Sequence, residues 1–179
     1  MKVLNNILKN KLNIRTEKNY PIKGIEFIDI TPLLLEKDVY NEIILLFKKE
    51  VEDKEIDYIV APEARGFLIG ASLANTLNTG FIPVRKEGKL PPSVVEAKIE
   101  YEKEYGKDVL ELPKLVNDNY KNKNFYIVDD IYATGNTINA IKDKIKKLGG
   151  NVIGVGVIMN IKELNNSNDV FSIIDINEN

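Results

Sequence analysis

The chain has 179 residues, 44% hydrophobic and 29% charged, with a formal net charge of −2. This fits one soluble globular domain with enough length for a real core, and it gives no blanket attraction to nucleic acid or to an acidic membrane. There is no cysteine and no histidine, so disulfides, thiol chemistry, histidine metal sites and a histidine base are excluded, and acid–base work falls to carboxylates, Lys or Tyr.

The first stretch, "MKVLNNILKNKLNIR", lacks the unbroken apolar core of a signal peptide. No run of about 18 apolar residues follows, so a cytoplasmic chain without a membrane span is expected. Residues 40–51 carry helical spacing, and 57–61 ("DYIVA") read as a buried strand. A second helix is expected over 65–77, ended by Asn78-Thr79-Gly80, and a strand over 80–86. Residues 87–123 break the rhythm: they are charged, carry Pro91-Pro92 and read as a long irregular insertion, usually a working loop or lid. Strand 124–130 is followed by a helix over 137–148. There Ile138, Ile141, Ile145 and Leu148 recur at steps of three and four before Gly149-Gly150 stops it. Strands at 152–161 and 171–176 complete the pattern. Strand and helix in alternation argue for an α/β fold with a parallel sheet covered on both faces. No repeat, linker or low-complexity segment interrupts the chain, so 1–179 reads as a single domain.

The informative segment is "FYIVDDIYATGNTINAI", Phe125 to Ile141. A buried strand ends on two adjacent acids, which repel one another and resist desolvation. In open α/β sheets ligands bind beyond the carboxyl ends of the strands. Ala133, Gly135 and the small Thr134 and Thr137 side chains let backbone N–H groups approach a ligand, and the helix N-terminus adds partial positive charge. Carboxylates that accept from vicinal hydroxyls, a few residues before a phosphate cradle, suit a ribose 5-phosphate. Read alone, the segment fits equally an acidic strand end followed by a capped helix.

"VDDIYATGNT" resembles the phosphoribosyl-pyrophosphate (PRPP) signature of the type I phosphoribosyltransferase family. "GIEFIDITPLL" (24–34), "APEARGFLIGASLA" (61–74), "FIPVRKEGKLP" (81–91) and "EYGKDVLEL" (104–112) resemble, in order and spacing, the branch of that family that acts on adenine. The resemblance implies transfer of the 5-phosphoribosyl group of PRPP to adenine, giving AMP and pyrophosphate with Mg²⁺, in purine salvage. It implies a five-stranded parallel sheet flanked by helices, a small N-terminal hood within 1–35 and a flexible catalytic loop over 87–112. It also implies a homodimer, with no nucleic-acid or membrane partner.

Carried over residue by residue, Asp129 and Asp130 hold the ribose hydroxyls, and Ala133, Thr134, Gly135, Asn136 and Thr137 bind the 5-phosphate. Arg65 marks the pyrophosphate loop, where the family often has a non-proline cis peptide just before the Arg. Arg85, Lys86 and Lys89 add positive charge for the pyrophosphate; "RKEGK" taken alone reads as a solvated basic turn. Glu104 matches the family's acid at the imidazole edge of adenine, with Tyr105 helping to close the loop; taken alone, Glu104 is one more surface carboxylate. Ile25, Phe27 and Ile131 form the apolar base contacts. No protein side chain is assigned as a direct metal ligand, Mg²⁺ being held mainly by PRPP.

Two positions depart from the family pattern. Asn136 stands where a second Gly is usual, and Asn tolerates left-handed backbone better than most residues. Ile28 stands where the family typically has Arg, which leaves open which purine binds. Alternatives are therefore the same enzyme type acting on hypoxanthine, guanine or xanthine, or a non-catalytic PRPP-sensing regulator. Family regulators carry an N-terminal DNA-binding domain, for which the segment of about 20 residues before the hood is too short.

Overall fold

Apolar, β-branched runs form the centre of a sheet because both of their faces are covered. The computed structural model describes residues 14–20, 22–24, 26–103 and 106–176, leaving aside the side chains of 103 and 107. The described chain divides into two units, one up to Leu46 and one from Phe47.

In the first unit, β1 (Arg15–Lys18) and β2 (Glu26–Asp29) pair antiparallel, with Arg15 opposite Asp29 and Thr16 opposite Ile28. Asn19 takes a left-handed backbone at φ 60°, and its Oδ1 accepts from Gly24 N at 2.9 Å, so an Asn side chain closes the connection. Tyr20 meets the Phe27 ring edge-on at 5.3 Å. Asp29 Oδ1 accepts from Thr31 N at 2.9 Å where α1 (Thr31–Leu35) begins. The next helix, α2 (Lys37–Val51), contains the predicted 40–51 and continues into the second unit.

The second unit holds β3 (Tyr58–Pro62), α3 (Gly66–Leu77), β4 (Gly80–Lys86), β5 (Val95–Lys103), β6 (Gly106–Pro113), β7 (Asn124–Tyr132), α4 (Asn136–Lys147), β8 (Asn151–Ile161) and β9 (Val170–Ile176). The sheet order is β5-β6-β4-β3-β7-β8-β9. The five strands from β4 to β9 in that order are parallel and coincide with the five read from the sequence. The sheet nevertheless has seven strands, because β5 and β6 add antiparallel beside β4.

The insertion at 87–123, expected to be irregular, therefore contains a hairpin, β5–β6, which takes up most of the expected catalytic loop 87–112. Its charge density hid a period-2 pattern: Ile99 and Tyr101 are buried between exposed Lys98, Glu100 and Glu102, and Leu110 and Leu112 are buried on the partner strand. One face of the sheet packs Val60, Ile82, Val84, Ile127, Val155 and Val157 against Ile138, Ile141 and Ile145 of α4. On α3, Gly70 lets the helix come close: a Cβ there would lie 2.8 Å from Ala61 Cβ and 2.6 Å from Phe81 Cε2.

Candidate active site

The chain leaves β3 to reach β4 on one side, then returns to lay β7 on the other side of β3. This reversal is a topological switch point, and it opens a crevice at the carboxyl ends of β3 and β7. A cleft of about 210 Å³ lies there. It is lined by Glu63 to Arg65 after β3, Lys86 at the end of β4, Asp129 to Ile131 on β7 and Thr137 on α4, with Tyr101 and Leu110 from the hairpin.

Asp130 is buried, and its Oδ2 lies 2.7 Å from Arg65 Nε. The Nε–H is not aimed at that oxygen, which has no aligned hydrogen-bond donor, so the contact is an ion pair. Asp129 is half-buried and accepts from Asp130 N through Oδ1 at 2.9 Å. Withdrawal from water, and after it the Asp130 charge, push the Asp129 carboxyl well above the usual carboxylate range. Gly66 opens α3 directly against this acid. A Cβ on it would lie 2.9 Å from Asp129 Oδ1 and 3.1 Å from Pro62 Cδ.

Between β7 and α4 the chain turns through Ala133, Thr134 and Gly135. Gly135 has φ 82°, and a Cβ on it would overlap the Tyr132 ring, so both conformation and space demand glycine. No side chain caps the α4 N-terminus, which leaves its first N–H groups free to serve an anion. Asn136 Nδ2 donates to the Glu102 carbonyl at 3.1 Å, so the residue that replaces the usual Gly ties this turn to the end of β5.

The basic residues divide. Lys86 lines the cleft. Arg85 Nε donates to Glu63 Oε2 at 3.1 Å, and Lys86 N donates to the same oxygen at 2.8 Å. The Lys86 N–H, and beside it Arg85, hold the Glu63 carboxyl below its usual range. Lys89 is exposed on a turn whose Gly88 and Leu90 N–H groups donate to the buried Glu111 Oε2 at 3.2 and 3.4 Å. The cis peptide falls between Glu63 and Ala64, one bond before the peptide that joins Ala64 to Arg65. Phe27 and Ile28 lie on β2 in the first unit. Ile25, Glu104 and Tyr105 lie outside the described residues.

The family model for the phosphoribosyl transferase domain matches residues 33–178. The chain belongs to the phosphoribosyl transferase family. Its sheet and flanking helices have the type I fold of that family. It is 43% identical over 155 residues to the adenine phosphoribosyltransferase of Clostridium acetobutylicum, covering 87% of this chain and 88% of the relative. It is 44% identical over 157 residues to the enzyme of that name from Brachyspira hyodysenteriae, covering 88% and 90%. Among solved structures, the adenine phosphoribosyltransferase of Thermoanaerobacter pseudethanolicus superposes with a TM-score of 0.85 at 40% identity, over 96% of this chain and 99% of that one. The Saccharomyces cerevisiae enzyme, solved with an iminoaltritol bisphosphate and adenine, gives 0.81 at 35% identity, over 97% and 99%.

Within this family fold, Arg65, Lys86, Asp129, Asp130, Ile131 and Thr137 meet in one cleft, while Arg85 turns to Glu63 and Lys89 to solvent. Gly66, Glu63 and Glu111 were not singled out in the sequence. Glu63 and Gly66 lie within two residues of Arg65 in "APEARGFLIGASLA", and Glu111 lies in "EYGKDVLEL", so position alone pointed near all three, but on its own residues Glu111 looks like any strand carboxylate. Among the described residues, no group of three or more carboxylates is placed to hold a metal, and no helix is long and apolar enough to cross a membrane.

Proposed function

We propose that this protein transfers the 5-phosphoribosyl group of PRPP to adenine, releasing pyrophosphate and forming AMP, as a step of purine salvage. One observation carries the reading: a single cleft at the switch point gathers an acidic pair, Arg65 and Lys86 beside an uncapped helix N-terminus. Relatives above 40% identity that are named for adenine support the choice of base.

In this reading Asp129 and Asp130 accept hydrogen bonds from the ribose hydroxyls. The N–H groups of Ala133 to Thr137 and the Thr134 and Thr137 hydroxyls bind the 5-phosphate. Arg65 and Lys86, with Arg85 and Lys89 further out, face the pyrophosphate. The C1′–O bond breaks with its electron pair leaving on pyrophosphate, the ribose becomes oxocarbenium-like, and adenine N9 forms the new bond to C1′. Fixed cations stabilise the charge that builds on the leaving oxygens. Glu104 takes the N9 proton, and the segment 87–112, with Tyr105, closes to keep water from PRPP. Ile25, Phe27 and Ile131 are the apolar base contacts of the family resemblance.

Mg²⁺ supplies further charge neutralisation on the leaving group. With no carboxylate cage among the described residues, the chain suits an ion that keeps water and phosphate ligands. The reading carries with it a single-domain, cytoplasmic homodimer, whose size a sizing column tests.

Competitive turnover of equal adenine and hypoxanthine at limiting PRPP tests the base. Adenine shows a donor beside an acceptor where an oxopurine shows the reverse, and mispaired buried polar groups discriminate by factors of about 10⁴–10⁵. AMP is expected to predominate, with Ile28→Arg changing the ratio little. Predominant IMP would overturn the base assignment while leaving the transferase reading standing.

A further inference from the structure

The turn between β7 and α4 is held from behind by one side chain. Asn165 lies between the short 3₁₀ turn Lys162–Leu164 and β9. Its Nδ2 is 2.8 Å from the Ala133 carbonyl oxygen, 2.8 Å from that of Ile161 and 3.0 Å from Asn160 Oδ1. A primary amide has two hydrogens, so three acceptors share two N–H bonds, one of them bifurcated. Two carbonyl oxygens on one side also decide which way round the amide lies, because its own oxygen could not face them. That oxygen accepts instead from Ser167 N at 3.1 Å. Asn160 is fully buried on β8, opposite Tyr132 of β7, so the second acceptor group is itself fixed by the sheet.

Across a trans peptide the C=O and the following N–H point in opposite directions. Holding the Ala133 carbonyl back toward Asn165 therefore aims the Thr134 N–H away from it, toward the opposite side of the turn. We propose that Asn165 is a positioning residue for this turn: it fixes the Ala133–Thr134 peptide so that the Thr134 N–H is presented to the 5-phosphate of the substrate. The inference rests on the reading of Ala133 to Thr137 as the phosphate-binding turn. The role is selective, since Asn165 is bonded to this turn, to the end of β8 and to Ser167, and none of these bonds reaches Arg65 or Lys86.

The test uses Asn165→Asp, which keeps shape, loses the donor and sets an acceptor against three acceptors. Asn165→Ala, which adds no charge, serves where the first variant is not obtained folded. Titration with ribose 5-phosphate and, separately, with pyrophosphate reads the two ends of the site, and steady-state kinetics read PRPP and adenine. A hydrogen bond to a charged group lost or misdirected is expected to weaken ribose 5-phosphate and raise the PRPP KM by about 10- to 100-fold. Pyrophosphate affinity and the adenine KM should stay within about twofold. Equal weakening of both ligands, or a fall in Tm with unchanged ribose 5-phosphate binding, would show a merely structural residue and overturn the proposal. Wild-type protein that binds neither PRPP nor ribose 5-phosphate would instead remove the functional reading on which it rests.

Discussion

Arg65 Nε lies 2.7 Å from Asp130 Oδ2, so two residues proposed for different parts of one substrate pair with each other. The guanidinium offsets the charge of a carboxylate that the fold has withdrawn from water. Arg65→Gln should leave Asp129 and Asp130 facing one another without a cation. Loss of a partner from a fully buried pair costs about 3–5 kcal/mol. The Arg65 side chain is 39% exposed, so solvent screening should reduce this to about 1–2 kcal/mol. The expected result is a Tm lower by several degrees in calorimetry together with loss of pyrophosphate binding; unaltered pyrophosphate affinity would remove Arg65 from the leaving-group site.

The raised Asp129 carboxyl has a pH signature. Between its unfolded value near about 3.9 and its raised folded value, the native chain binds more protons than the unfolded one. Its contribution to stability is therefore greatest at low pH and is lost as pH rises through that window. Asp129→Asn should then melt above wild type at pH 8, with the advantage shrinking toward pH 4. In the same preparations, Asp129→Asn combined with Asp130→Asn should lose most PRPP affinity by isothermal titration. A pH-independent difference in Tm would mean that the carboxyl is not perturbed as described.

Two glycines on α3 separate function from packing. At Gly66 an added Cβ meets the movable end of Asp129, 2.9 Å away, and at Gly70 it meets the Ala61 Cβ and the Phe81 ring at 2.8 and 2.6 Å. Gly66→Ala should raise the PRPP KM about tenfold with a smaller fall in Tm than Gly70→Ala, because the movable acid takes the severest contact and Pro62 Cδ, 3.1 Å away, has to give only slightly. Gly70→Ala should cost about 1–3 kcal/mol by overpacking, offset in part by helix propensity, with kinetics unchanged. The reverse pattern would place the functional contact at the wrong glycine.

Asn136 offers a return to the family residue. Asn136→Gly removes the 3.1 Å bond to the Glu102 carbonyl and should speed amide exchange at the β5 end of the hairpin in the free protein. It should also increase PRPP hydrolysis relative to AMP formation, since a less tethered segment excludes water less well. Equal exchange in both proteins would mean that the bond does not hold the hairpin.

Glu104→Gln should lower kcat by about 10²–10⁴-fold if Glu104 is the general acid–base group, with PRPP binding nearly unchanged. Near-normal turnover would send the N9 proton elsewhere, for example to water.

The sequence by itself determined the five parallel strands, the helices between them and the position of Asp129 and Asp130 at a strand end. Those features rest on short continuous apolar runs, on the 3.6-residue period and on contiguous motifs, which are local. The β5–β6 pairing was local too, in the alternation of Ile99 and Tyr101 with charged neighbours, but the density of charge suggested a loop. Only the tertiary structure decided that Arg65 pairs with Asp130, that Glu63 holds Arg85, that Glu111 carries the Lys89 turn, that Gly66 backs Asp129 and that Asn165 holds Ala133. Each of these joins residues more than 20 positions apart, and a carboxylate, a glycine or an amide carries no mark of which distant group it will meet. The meeting is set by the order in which the strands pack, and hence by the burial of apolar surface on both faces of the sheet.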